Sequence, residues 1–376
     1  MQKCLNGQDD QRCRNDWQLL NGPHWSEFSE TLRTPATVKN LKYSLIQFLS
    51  DPLIKMSAED FIILGKNNPS ATQELIKNYI LHHKKAVIER KLAAGTLVCR
   101  TKAAEQFLVM NDILAINWKK LSKITPSRRK SANDRAPTLE EIQKVDRFGD
   151  ARFKFVLSAM VSGGFRLGGW TGLQVKDFEK IEKDGQIVAA KLTLYRGTDE
   201  QYFTFVSPEC WNRFQDYVDL RRKAGENVTG DSPAVRNQFG LIGCFKRDVN
   251  NVKSLSIIGI SASFSSAWRT AGYRLEGKGQ KEVKLIHSFR KYYKTRAEQT
   301  MKPINVEILM GHATGVSDSY YRPLEADLLS DYLKAVKDLC IEPVNRAGEA
   351  ASQIELEELR QMIKNLTNRI NNISQV

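Results

Sequence analysis

The chain of 376 residues contains no long hydrophobic run. Its mainly apolar stretches, such as Phe155 to Val161 broken by Ser158, fall far below the ~18 residues that a membrane span needs. The N-terminus, MQKCLNGQDDQRCRNDW, is polar and lacks the apolar h-region of a secretory signal. Cysteine is scarce: six residues are scattered, and no C-x-x-C occurs. None of the five histidines pairs with a cysteine at finger spacing, so no structural zinc site is expected. These absences lead to the expectation of a reduced, cytoplasmic chain. There is no G-x-x-x-x-G-K-[ST] phosphate loop, because Gly277-Lys278-Gly279 lacks that spacing. There is no G-x-S-x-G hydrolase elbow either.

Acidic residues are in deficit. Asp+Glu number 43 against Lys+Arg 57, which gives a net charge of +14 and a pI near 9.4. With 41% hydrophobic and 27% charged residues the composition is globular. The length suits two domains with extra segments, and the basic surplus points to a polyanionic partner, with nucleic acid favoured over a bland basic surface.

Residues 1–30 read as a polar extension, docked through Trp17, Leu19 and Leu20. Residues 31–124 read as a four-helix domain with no strand. Val38, Leu41, Leu45, Phe48 and Leu49 recur at helical spacing, and Ser70 with Gln73 marks a capped helix start. The last of the four helices spans Thr96 to Leu114. Residues 125–135, continuing a basic run that begins at Lys119, form a linker broken by Pro126. Residues 136–345 form a second domain that opens on the capping pair Thr138 and Glu141. It continues with a helix at 151–162 and two alternating strands, Ile187 to Tyr195 and Tyr202 to Val206. Within 350–376, Leu356, Leu359, Ile363, Leu366, Ile370 and Ile373 make a heptad stripe of under three repeats. It serves either a self-associating coil or a helix packed on its own domain. The expected fold class is mainly α with a small β-sheet, the sheet lying in an α+β second domain.

Four segments of the second domain belong together. They are Gly163-Gly164-Phe165-Arg166, the hairpin with Arg196 at its turn, His287-Ser288-Phe289-Arg290, and Met310-Gly311-His312 followed by Tyr320 and Tyr321. Singly each is weak. In this order they resemble the catalytic domain of the tyrosine recombinase (phage integrase) family. That family carries Arg, a hairpin Lys, His-x-x-Arg, Leu-Gly-His and a Tyr about nine residues on. The spacing from His312 to Tyr321 is nine. Ser317 and Asp318 stand where the family often has a threonine pair.

The resemblance implies catalytic roles for Arg166, Arg196, His287, Arg290, His312 and Tyr321, with Tyr320 as the alternative nucleophile. Two guanidinium forks suit the charge that develops on a phosphodiester under attack. A tyrosine hydroxyl forms a covalent 3′-phosphotyrosine that keeps the bond energy for rejoining, with no metal, ATP or other cofactor. His287 would assist proton transfer and His312 would bond the phosphate. The expected partner is double-stranded DNA, clamped by the helical domain (31–124) and the catalytic domain (136–345), with a tetramer acting on two sites. Integration or excision of a mobile genetic element would be typical work. Some local features look closer to archaeal integrase-like sequences.

Two departures qualify the match. Arg196 stands where the family has lysine, and an arginine is a poor proton donor. Lys191, five residues away, falls on the opposite face of the strand. Gly169 stands where the family usually has an acid, so the support for the arginine or histidine must come from elsewhere, with Asp177 a candidate. A type IB topoisomerase and a catalytically degenerate DNA-binding protein remain as alternative readings.

Overall fold

Side-chain caps set most helix starts in the computed structural model. It describes residues 17–127, 135–237, 249, 251–273, 283, 285–313, 315 and 320–346. The chain divides near residue 131 into two compact units. In the first, a 3₁₀ turn (Trp17–Leu20) precedes α1 (Pro23–Glu30), α2 (Pro35–Leu49), α3 (Ala58–Asn67), α4 (Pro69–Ile88), α5 (Ala94–Met110) and α6 (Trp118–Ile124). Thr34 accepts from the Thr37 N–H to cap α2, and Ser57 with Asp60 forms a reciprocal capping box on α3.

Two expectations for this unit are corrected. The cap of α4 is Asn68, not Ser70, because Pro69 starts the helix and the Asn68 side chain takes the Ala71 N–H at 2.9 Å. Gln73 instead accepts from the Asn117 N–H at 2.7 Å. The span 31–124 holds five helices, not four. The additional one is α6, capped by Asn117 and anchored by buried Leu121, where the basic letters alone suggested linker. The extension docks as expected through Leu20, buried in the first core, and Leu19 packed against it, and it adds Trp25 and Phe28 in edge and tilted contacts on Phe107.

The second unit contains α7 (Leu139–Asp146), α8 (Ala151–Gly163), β1 (Phe178–Lys183), β2 (Gln186–Leu194), β3 (Tyr202–Val206), α9 (Pro208–Lys223), α10 (Ile257–Thr270), α11 (His287–Ala297), α12 (Pro303–Leu309) and α13 (Glu325–Ala335). The Thr138–Glu141 capping box is present at α7. The chain is thus mostly helical, with an antiparallel sheet in the order β1-β2-β3. Strand β1 was not expected: FEKIEK is charged, and only Phe178 is buried. Its hairpin to β2 turns on Asp184 and Gly185, both at positive φ (52° and 76°), the geometry of a tight two-residue turn. Tyr195, expected as the last residue of β2, has φ 54° and already leaves the strand.

Helix α8 is the centre of this unit, buried from Phe155 to Gly163. Leu192, Leu194 and Val206 join it in one core cluster, while Phe205 packs with Tyr293, Leu309 and Tyr332 in another. Strand alternation places these two sets on opposite faces of the sheet. α8 ends at Gly164, where φ is 59° and a Cβ would lie 2.1 Å from the Tyr293 ring. Only glycine permits that approach, and it brings the α8 terminus against α11. The heptad segment, residues 128–134 of the linker, and Ser317 with Asp318 lie outside the described residues.

Candidate active site

The close contact of α8 and α11 makes a pocket for one guanidinium. Arg290, only 5% exposed, donates from Nη1 to the Gly164 carbonyl at 2.7 Å and from Nη2 to the Met310 carbonyl at 2.7 Å. Nη2 also lies 2.5 Å from His312 Nε2. Arg166 follows the α8 terminus, is exposed, and donates from Nη1 to the Gly311 carbonyl at 2.9 Å. The two arginines therefore hold one loop, Met310-Gly311-His312, from two sides. That loop turns at Gly311 with φ 63°, and a Cβ there would come within 2.5 Å of the Tyr202 ring.

The electrostatics are those of a site short of an anion. Among the described residues neither Arg166 nor Arg290 is paired with a carboxylate; both donate to carbonyls. Burial lowers the Arg290 pKa, and the neighbouring Arg166 charge lowers it further. Arginine nonetheless stays protonated. Tyr202 stands beside the pair with its pKa pushed up to about 12 by burial, Arg290 pulling the other way. It is thus a neutral phenol at working pH. Burial likewise raises Tyr195.

His312 is held from both ring nitrogens. Nδ1 bonds the Glu307 carboxylate, and Lys294 holds the other oxygen of that carboxylate. His287 opens α11, one turn before Arg290, and is exposed.

The structure does not bond Arg196 to this cluster. Its Nε donates to Asp177 Oδ1 at 2.5 Å and its Nη2 lies 3.5 Å from Glu179 Oε1. Asp177 spends its other oxygen on the Gln174 N–H at 2.8 Å. Asp177 therefore supports Arg196 and the start of β1, not the histidine or the arginine pair. Position 169 has no room for an acid, because a Cβ there would lie 2.9 Å from both Leu194 and Phe165. Lys191 reaches Glu325 at 2.6 Å and sits over the Phe203 ring.

Tyr321 is half-buried, and its hydroxyl donates to Asn305 Oδ1 at 2.8 Å. Asn305 is itself fixed, donating to Asp331 at 2.8 Å. Tyr320 is 85% exposed. Sequence reasoning missed Glu307, Asn305 and Tyr202. In the letters they are ordinary helix and strand residues; the turn at Gly311 sets His312 against Glu307, while Asn305 and Tyr202 are placed by α12 and β3.

No family model and no curated protein matches the chain. Solved structures do. One is the Tn1549 transposon integrase in complex with transposon right-end DNA, at 14% identity and TM-score 0.52, covering 84% of this chain and 97% of that one. Another is a lambda integrase tetramer bound to a Holliday junction, at 14% identity and TM-score 0.51, covering 80% and 75%. The likeness is one of fold: the chain has the fold of the tyrosine recombinases, the family its motifs resemble.

Proposed function

We propose that the chain is a site-specific DNA recombinase, or integrase, that cuts and rejoins DNA through a covalent 3′-phosphotyrosine. The observation that carries this reading is the convergence of Arg166, Arg290 and His312 on the Met310–His312 loop, with no carboxylate on either arginine among the described residues. A scissile phosphate supplies the missing anion. The planar forks would take its non-bridging oxygens and stabilise the pentacoordinate state electrostatically. Tyr321 attacks phosphorus, the bond to the 5′-oxygen breaks, and the 5′-hydroxyl later reverses the step. We assign proton transfer to His287. With Nε on Asp177 and Nη2 near Glu179, Arg196 has Nη1 to offer a phosphate. The Tyr321 hydroxyl would have to leave Asn305.

Double-stranded DNA is the proposed partner. The DNA complexes named for the Tn1549 and lambda integrases support it, as does the basic surplus. We also propose that the units up to about residue 124 and from about 136 act as core-binding and catalytic domains in a tetramer on two sites. The tetramer named for lambda integrase supports that assembly.

The test is a pool of nicked duplexes drawn from DNA beside the gene, where an attachment sequence would lie. Wild type should trap a covalent 3′-phosphotyrosyl adduct, and Tyr321→Phe should bind DNA without trapping it. Absence of any wild-type adduct overturns the enzyme reading. Loss of the adduct in Tyr320→Phe but not in Tyr321→Phe moves the nucleophile to the exposed neighbour. Relaxation of supercoiled DNA lacking any specific site would mark a topoisomerase.

A further inference from the structure

The carboxylate that serves this site comes from α12. His312 lies just past the end of that helix, and its backbone N–H donates to the Glu307 carbonyl at 3.0 Å. The same residue's carboxylate meets His312 Nδ1. Lys294 of α11 holds the second carboxylate oxygen and also reaches Glu298 at 3.3 Å. On the other side of the ring, Arg290 Nη2 stands 2.5 Å from Nε2. A guanidinium can only donate. Nε2 is therefore the acceptor, and the ring proton sits on Nδ1, facing Glu307. With Nδ1–H committed to Glu307, Nε2 alone is open to a transferring proton, and a bond from His312 to a phosphate oxygen requires that Nε2 first take up a proton and release Arg290. The position that would otherwise carry an acid, Gly169, is closed by Leu194 and Phe165, and Asp177 is spent on Arg196 and Gln174.

We propose that Glu307 is a positioning residue for strand transfer, fixing the tautomer and ring orientation of His312 so that Nε2 faces the arginine pair. The role in strand transfer rests on the recombinase reading above; the tautomer does not. Glu307 is suited to it because it stays ionised. Burial acts to raise its pKa, but the bonds from Lys294 and His312 outweigh that and hold it below the usual carboxylate range. A fixed anion behind a functional histidine is a recurrent device for selecting one nitrogen.

Two measurements test this. In nitrogen NMR of the full chain labelled at histidine, wild-type His312 should show a protonated Nδ1 and a bare Nε2. Glu307→Ala should shift the population toward Nε2–H, while Glu307→Gln, which keeps an acceptor oxygen, should retain Nδ1–H. A wild-type His312 protonated on Nε2, or one unchanged in Glu307→Ala, overturns the assignment. The wild-type spectrum decides alone if the alanine variant does not fold. The second measurement is single-turnover cleavage of a nicked duplex. Glu307→Ala should slow cleavage by about 10–100-fold at unchanged DNA binding, and should add nothing in a His312→Ala background. Additive losses would make Glu307 a general structural residue and end the proposal. If wild type forms no adduct, the failure belongs to the recombinase reading, and the NMR still judges the tautomer.

Discussion

Arg290 does two things with one guanidinium, and this makes its substitutions informative. It bonds the Gly164 and Met310 carbonyls, so it ties α8 to the loop after α12, and it brings a charge to His312. Lysine would keep the charge but cannot span two carbonyls with a planar fork. Removing one preorganised donor from a site of developing charge typically costs about 10²–10³-fold in rate. Arg290→Lys is therefore expected to slow single-turnover cleavage by about that factor, with DNA binding within a few-fold of wild type. Equal cleavage rates would show that charge alone suffices. At this scale Arg166, Arg290 and His312, which the structure brings to one loop, were picked out in the sequence by order and spacing; Tyr320 and Tyr321 were picked out the same way, and the structure bonds Tyr321 to Asn305. Glu307 was not legible, because a glutamate five residues before a histidine has no meaning until the helix ends between them. Arg196 was legible as a hairpin residue, but its partners were not: Asp177 and Glu179 reach it only through β1, which the sequence reading lacked.

At the scale of elements, periodicity was readable where one face is apolar and failed where charge sits on a buried framework. The β2–β3 hairpin and the Thr138–Glu141 cap were expected and are present. Strand β1 hides because it is an edge strand with one buried residue, and α6 hides because lysines cover all but its buried Leu121 face. The deepest charges were not readable at all. Arg221 and Arg236, both fully buried, share Glu226, which accepts from Arg221 Nη2 at 2.5 Å and from Arg236 Nη1 at 2.7 Å. This carboxylate links the end of α9 to the segment reaching Arg236, and Arg221 also donates to the Pro233 carbonyl at 2.9 Å. Taking away one partner of a buried ion pair leaves uncompensated charge, at a cost of about 3–5 kcal/mol. Glu226→Ala is expected to lower the stability of the second unit by about that amount in urea unfolding, with the first unit's transition unmoved. A loss under about 1 kcal/mol would mean that water reaches the cluster.

Over the whole molecule, the charge balance predicts that acid acts on stability and salt on binding. Glu141 is held low by Arg135 and the Thr138 N–H, with burial opposing. In Glu307 and Asp331 burial pushes upward and is outweighed, by Lys294 and His312 in the first and by Lys334, Asn305 and the Lys302 N–H in the second. A lowered folded-state pKa means that the unfolded chain binds more protons in acid. The stability these groups confer is present above the ordinary values of 4.5 and 3.8. It is lost as pH falls below them through the folded-state values. Glu209 runs the other way, since burial raises it. Glu140 is lowered as well, so four carboxylates against one predict a urea midpoint that falls between about pH 5 and pH 3, and less steeply in Glu307→Gln. Salt acts on binding instead. On the proposed reading the surplus of 14 positive charges meets the phosphates of duplex DNA, and each phosphate neutralised releases counterions. Lys119, Lys120 and Lys123 lie exposed on α6, at the entry to the basic linker. If they grip phosphates, log affinity for duplex DNA falls steeply with log salt, and Lys119→Ala lowers that slope by about one without altering site preference. A slope near zero, or one unchanged across all three alanine variants, would return this basic stretch to the role of solvated surface.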